Sequence, residues 1–210
     1  MTELNSIKGR LERLEQIERR IVQQTMEALS GKAAYSLSLV LVGALNRTVC
    51  QSKGFRTLIA ARNFPCAAVL LRLQLDTAMR VNALHLVEDA FAVSTAMVAG
   101  KQLNRFKDTH GKRLQDAYLR TCLAAEHPWI EEVYRQTSDF VHLSGRHFHS
   151  AVSKANDEAR SVQISVGGEM GESECDYFEI IDAFTAATEI ASKASLDILA
   201  AAPPATAENL

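Results

Sequence analysis

Apolar residues recur at intervals of three and four along most of this 210-residue chain. That spacing puts them on one face of an α-helix. It predicts an all-α fold, a single bundle of six to seven helices over residues 1–200, with a long amphipathic helix in residues 1–30. Further helices are predicted at 33–52, 64–87, 89–99, 112–125 and 174–200. A short helical turn is predicted at 55–62, after Gly54. Another helix is predicted to begin at Pro128 and to end or kink at Gly145.

Two segments depart from this pattern. Residues 161–166 alternate polar and apolar side chains and precede a glycine-rich run, which predicts one short strand or an extended loop. Residues 201–210 contain two of the four prolines and little that could be buried, so they are predicted to form a disordered tail.

Charge and composition exclude several function classes. A net charge of −2 gives no overall attraction to nucleic acid or to an anionic membrane, so any such affinity requires a local patch. The most basic segment is 101–113, with five cations against one acid; such a run is either a solvated loop or a phosphate-binding surface. The longest apolar run, residues 36–45, is too short to cross a bilayer, and no membrane partner is predicted. The four cysteines share no metal-ligand spacing, which predicts neither a structural zinc nor a disulfide framework and favours a reducing compartment. The N-terminus lacks the apolar core of a signal peptide, so a cytoplasmic protein is predicted, and no cofactor is expected.

The stretch from Tyr134 to His149 concentrates the candidate chemistry. Its polar stripe would be formed by Arg135, Ser138, Asp139, His142 and Arg146. The opposite, core-facing stripe would contain Ile130, Val133, Thr137, Phe140, Val141 and Phe148. Residues seven apart lie about 10.5 Å apart on nearly the same side of a continuous helix, so Arg135 and His142 would face one cleft or one partner.

A second charged stripe lies in the most apolar predicted helix. Arg72, Asp76 and Arg80 occur there at successive four-residue steps. Charges in such surroundings require partners. They form either the far wall of the cleft that carries Arg135 or an ion-pair ladder within their own helix.

These two stretches resemble the HEPN superfamily of helical bundles, at the level of pattern and over residues 55–199. That family carries an arginine, four to six residues, and then a histidine near the start of a late helix; Arg135 and His142 match with six intervening residues. Uncharacterised bacterial branches pair an arginine- and acid-bearing helix with a later Ser-x-x-x-His helix, here Ser138 and His142. Gln136 follows the arginine, where the family often has Asn, Asp or His.

The resemblance implies a homodimer and a metal-independent endoribonuclease of toxin or defence type. His142 would transfer the proton, and Arg135 would stabilise charge on the phosphate of an RNA substrate. An arginine followed after four to six residues by a histidine also occurs at Arg80–His85, Arg105–His110 and Arg120–His127, so this spacing alone does not identify a site. One alternative is a non-catalytic dimeric binding or regulatory module of the same fold. Another is a metal site that includes Asp139 and His142, although the chain lacks the Glu-x-x-His pairs of di-metal helical bundles.

Overall fold

The structure, a computed structural model, describes residues 5–32, 35–142, 144–145, 147–148, 152–156, 160–164, 166–167 and 172–202. These residues form seven α-helices and one two-stranded antiparallel sheet. The helices are α1 (Ile7–Leu29), α2 (Ser36–Ala60), α3 (Phe64–Asn82), α4 (Ala90–Val98), α5 (Asp116–Glu126), α6 (Trp129–Val141) and α7 (Glu174–Ala201). The predicted all-α bundle of six to seven helices is confirmed.

Helix α3 lies at the centre of the bundle and packs on α2, α5, α6 and α7. It is buried on more than one side because its apolar residues exceed a single stripe, and Leu71, Leu75 and Ala78 are almost wholly inaccessible. Beneath it, the rings of Phe55 on α2 and Phe184 on α7 stack at a centroid distance of 3.9 Å. Helices α5 and α6 pack on α3 and on each other.

The N-terminal helix packs along the body of the protein, against α2 and α7. Its apolar stripe is interrupted at Glu18, which is nevertheless buried. The carboxylate accepts hydrogen bonds from Ser52 Oγ at 2.7 Å and from Arg56 Nε at 2.8 Å, both on α2. This buried ion pair fixes the register between α1 and α2, since a shift along either helix would leave the charges unpaired.

Several helix ends follow the local signals in the sequence. Asn63 caps α3 by accepting a hydrogen bond from the Cys66 amide, and Pro65 lies in the first turn, as predicted. Gly31, just beyond α1, has a φ of 71°, which a residue with a side chain rarely adopts.

Other predicted boundaries were wrong. Helix α2 continues through Gly54 to Ala60, so the predicted break is absent. Helix α3 ends at Asn82 rather than near residue 87, and α5 begins at Asp116 rather than at 112. A Cβ on Gly54 would lie 3.3 Å from Leu70 Cδ1 on α3, so this glycine serves close helix packing.

The segment predicted as one strand or an extended loop forms half of a hairpin. Strand β1 (Val152–Asn156) pairs antiparallel with β2 (Ser161–Ile164), whose four residues are all exposed. Of the predicted disordered tail, residues 203–210 lie outside the described part of the chain. Within the described residues, no helix is both long and apolar enough to cross a membrane.

Candidate nucleic-acid interface

Residues 101–113, hereafter the basic loop, form an ordered connection between α4 and α5. The loop begins with a short 3₁₀ turn. Leu103, inside the loop, and Leu114, directly after it, are buried in the core. The loop then folds back on itself, because the Asp108 amide donates to the Lys112 carbonyl at 2.9 Å. At its tip, the Thr109 amide donates to the Leu86 carbonyl at 3.1 Å, which attaches the loop to the chain that follows α3.

Asp108, the one acid of the basic loop, organises this turn. Its Oδ1 accepts hydrogen bonds from the amides of His110 at 2.9 Å and Lys112 at 2.7 Å. Its Oδ2 accepts one from the hydroxyl of Tyr118 on α5 at 2.5 Å. The hydrogen bond from Tyr118 holds the pKa of Asp108 below its ordinary 3.8 and raises the pKa of Tyr118 above its ordinary 10.0. The carboxylate therefore binds backbone and a tyrosine rather than a cation.

The turn also depends on a glycine. Gly111 has a φ of 79°, a backbone conformation in which a Cβ is strained, and its amide donates to the Asp108 carbonyl at 3.1 Å. Asp108 and Gly111 together give a defined shape to the turn that brings Lys107 and Arg113 into an antiparallel bridge.

The five cations of the basic loop are all exposed. They are Lys101, Arg105, Lys107, Lys112 and Arg113. Throughout the part of the chain that the structure describes, no carboxylate forms an ion pair with any of them. Two are placed against aromatic rings: Lys101 Nζ lies 4.5 Å from the centroid of Phe106, and Lys112 Nζ 5.3 Å from that of Tyr118. The loop thus presents five uncompensated positive charges on a fixed backbone.

The charged stripe on α3 is partnered within the protein. Arg80 Nε donates to Asp76 at 2.9 Å, and Arg80 Nη2 donates to Asp116 of α5 at 3.0 Å. Burial opposes the charge of Arg80, but the hydrogen bond and charge of Asp76 outweigh it and raise the pKa of Arg80. The Asp76–Arg80 pair is one step of the predicted ladder, and the contact with Asp116 extends it to the next helix.

The third member of the stripe, Arg72, contacts Tyr134 of α6. Its guanidinium lies 3.5 Å from the centroid of the tyrosine ring and hydrogen-bonds to the hydroxyl. Arg120 of α5 approaches the same ring at 4.7 Å and pairs with Glu131 at 2.9 Å. Burial lowers the pKa of Arg72. Tyr134 therefore joins α3, α5 and α6, a role that the sequence pattern did not indicate.

The predicted polar stripe of α6 faces solvent. Arg135 has a side chain 69% exposed and donates to both oxygens of Glu132 at 2.6 and 3.0 Å. These hydrogen bonds raise the pKa of Arg135 and lower that of Glu132. Asp139 is also exposed, and Ser138, half-buried, donates its hydroxyl to the Tyr134 carbonyl at 2.7 Å.

His142 is not part of α6, so the prediction that Arg135 and His142 share one continuous helix was wrong. The helix ends at Val141, and His142 has extended backbone angles of −109° and 148°. Val141 and Phe148, predicted on the core face, are 45% and 60% exposed. Arg146 lies outside the described residues.

The two predicted halves of a shared cleft do not meet through their charged groups. Among the described residues, no hydrogen bond or ion pair connects the Arg135, Ser138, Asp139 and His142 side chains with Arg72, Asp76 or Arg80. The polar contact between α3 and α6 is made by Arg72 and Tyr134 instead, and Phe64 of α3 contacts Phe140 of α6 at a ring-centroid distance of 5.9 Å. Within the described residues, moreover, no three His, Cys, Asp or Glu side chains are grouped as metal ligands, and all four cysteines are free thiols.

No family model, curated protein or solved structure matches this chain.

Proposed function

We propose that this chain is an HEPN-like helical-bundle module that binds RNA without cleaving it. The observation that carries the proposal is the ordered basic loop with five exposed cations and no carboxylate partner. The module corresponds to the non-catalytic interpretation of the sequence, and a homodimer is part of the proposal.

Phosphate is the ligand chemistry that these cations favour. A protein that neutralises phosphates with lysine and arginine releases condensed counterions, and this release drives most sequence-independent binding to nucleic acid. A fixed loop also loses less conformational entropy on binding than a flexible basic run. Asp108 holds the backbone without consuming a positive charge, so order and charge are retained together.

A nucleic acid suits this surface better than a lipid membrane does. Basic segments bind anionic membranes by charge alone, and amphipathic segments add the insertion of apolar side chains between the headgroups. In the basic loop and its flank, Leu103 and Leu114 are buried, and Phe106 is half-buried beneath Lys101. Only polar and charged groups remain for contact, which favours a hydrated phosphate backbone. RNA is chosen over DNA because the HEPN-like resemblance implies RNA.

The geometry around Arg135 favours binding over cleavage. A catalytic arginine must be free to donate to the phosphate as charge develops, whereas Arg135 is paired with Glu132 on the surface. His142 is the C-cap residue of α6, in extended backbone, and among the described residues no hydrogen bond joins its side chain to Arg135. The competing proposal remains a metal-independent endoribonuclease that uses these two residues, and solvent exposure of both favours access by a phosphate.

Mutation of the loop cations tests the RNA-binding proposal. Fluorescence anisotropy would measure binding of a labelled single-stranded RNA to the wild type and to the triple variant Arg105→Ala/Lys107→Ala/Arg113→Ala. The matched control carries the same change in net charge at Lys8→Ala/Arg19→Ala/Lys53→Ala, on α1 and α2. We expect a loss of about tenfold or more for the loop variant at low salt, and less than about twofold for the control.

Equal affinities for the wild type and the loop variant, or binding to anionic vesicles but not to RNA, would overturn the RNA-binding proposal. The same RNA would be incubated in chelator with the wild type, Arg135→Ala and His142→Ala. Intact RNA in all three supports a binding module, and cleavage abolished by both substitutions would establish the nuclease instead. Light scattering would test the homodimer.

A further inference from the structure

A cleft lies beside Leu86, the residue to which the basic loop is attached, and its lining includes neither a residue of the loop nor Arg135. It lies between the ends of α3 and α5, the start of α6 and the middle of α7, with a volume of about 640 Å³. Its apolar lining includes Leu86, Leu123 and Ile190, of which Leu123 is fully buried. Small-molecule sites commonly have volumes of about 300–1,000 Å³ and apolar walls with a few convergent polar groups.

The charges around this cleft are unbalanced. Three carboxylates line it, from Glu126, Glu189 and Asp197, against the single cation of Lys193. Lys193 pairs with Asp197 at 3.5 Å. Glu126 and Glu189 are exposed and have no ion pair to any described residue. Glu126 of α5 and Glu189 of α7 therefore line the cleft without a direct ion pair, and Glu189 also lines a second hollow with Arg13 and Arg20 of α1.

An aromatic ring completes the lining. Trp129, the one tryptophan of the chain, is half-buried there beside His127 at the junction of α5 and α6. An indole is the aromatic side chain that attracts organic cations most strongly, because its face carries negative charge density. Apolar walls, an indole and two unpaired carboxylates together are complementary to a positively charged molecule with an apolar body.

We propose that this cleft binds a small organic cation, an ammonium group attached to an aromatic or aliphatic body. The ammonium would lie near Glu126 and Glu189, and the body would contact Trp129 and the apolar lining. A divalent metal fits less well, since the described residues provide no group of three ligands there. An anionic ligand would meet the same two carboxylates and be repelled. The proposal is independent of RNA binding.

Because Trp129 is the one tryptophan in the chain, its fluorescence reports on the cleft directly. The full-length protein would be titrated with benzyltrimethylammonium, with benzyl alcohol as a neutral probe of similar shape and with benzoate as an anionic one. We expect a saturable change with the cation alone, with a dissociation constant of about 1 mM or below. Isothermal calorimetry would provide a second measurement that does not depend on fluorescence.

The carboxylates are tested by Glu126→Gln/Glu189→Gln, two exposed positions where the amide keeps the shape of the side chain. The double variant should bind the cation at least about tenfold more weakly, since it removes both unpaired charges. Glu27→Gln/Glu174→Gln, exposed acids elsewhere, should leave the affinity unchanged. Equal responses to the three probes, no saturation, or full affinity in the cleft variant would each overturn the proposal.

Discussion

The salt dependence of RNA binding gives the most direct test of the basic loop. On single-stranded nucleic acid, each neutralised phosphate contributes about −0.7 to the slope of log affinity against log salt. Five contacts, one for each exposed cation of the loop, give a slope of about −3.5. A rise from about 50 to about 200 mM potassium chloride should then weaken binding about 100-fold.

The triple variant Arg105→Ala/Lys107→Ala/Arg113→Ala leaves two of the five cations, Lys101 and Lys112. Its slope should fall to about −1.4, so the same rise in salt should weaken binding only about sevenfold. Anisotropy titrations at several salt concentrations would measure both slopes. The variant on α1 and α2 with the same net charge controls for the general electrostatic field of the protein. If the loop variant retained the wild-type slope, the phosphates would be neutralised elsewhere and the reasoning would be refuted.

Three further predictions concern groups that hold the structure together. Asp108→Ala should weaken RNA binding although it makes the loop more positive, because the turn loses the carboxylate that orders it; tighter binding in the anisotropy assay would show that charge alone matters. In an alkaline absorbance titration, Tyr118 should ionise above the ordinary tyrosine pKa of 10.0, and Tyr118→Phe should remove that late step. Because the pKa of Tyr118 is raised in the folded state, its hydrogen bond to Asp108 stabilises the fold below pH 10.0, and this stabilisation is lost as the pH rises through the folded pKa. Glu18→Ala should lower the free energy of unfolding in urea by about 3 kcal/mol, the lower end of the range for a broken buried pair because Arg56 is 25% exposed. Glu12→Ala, at an exposed site on the same helix, should cost much less, and an equal loss at both positions would contradict the role of the buried pair.

Helix positions were predictable from the sequence where a local signal coincides with the apolar period. Asn63 with Pro65 marks the start of α3, and Gly31 marks the end of α1, because capping and positive φ are properties of a few adjacent residues. The predicted helix break at Gly54 was wrong. From the sequence alone, a glycine that ends a helix cannot be distinguished from one that allows a neighbouring helix to pack closely. Only the approach of Leu70 from α3 distinguishes them.

The end of α6 illustrates a second limit. The nearest breaker in the sequence is Gly145, yet the helix ends at Val141. The hydroxyls of Thr137 and Ser138 both donate to carbonyls one turn back, at 2.7 Å, and this competes with the backbone ladder in the last turn. Thr137 and Ser138, two adjacent residues of modest helix propensity, therefore lie in the last turn of α6. The helix ends before His142, which was predicted to belong to it.

Charge in the sequence indicates where partners are needed, but only the fold shows where they are missing. The stripe of Arg72, Asp76 and Arg80 attracts attention because its helix is apolar, yet Tyr134 and Asp116 engage its two arginines from neighbouring helices. The cations of the basic loop are unremarkable in sequence, where a charge run usually indicates a solvated loop. Their significance arises from Asp108, which could have neutralised one of them and instead binds two backbone amides and a tyrosine. Positive charge that is held in place and left uncompensated is available to an external anion, which is why the proposed RNA-binding surface is the basic loop rather than the α3 stripe.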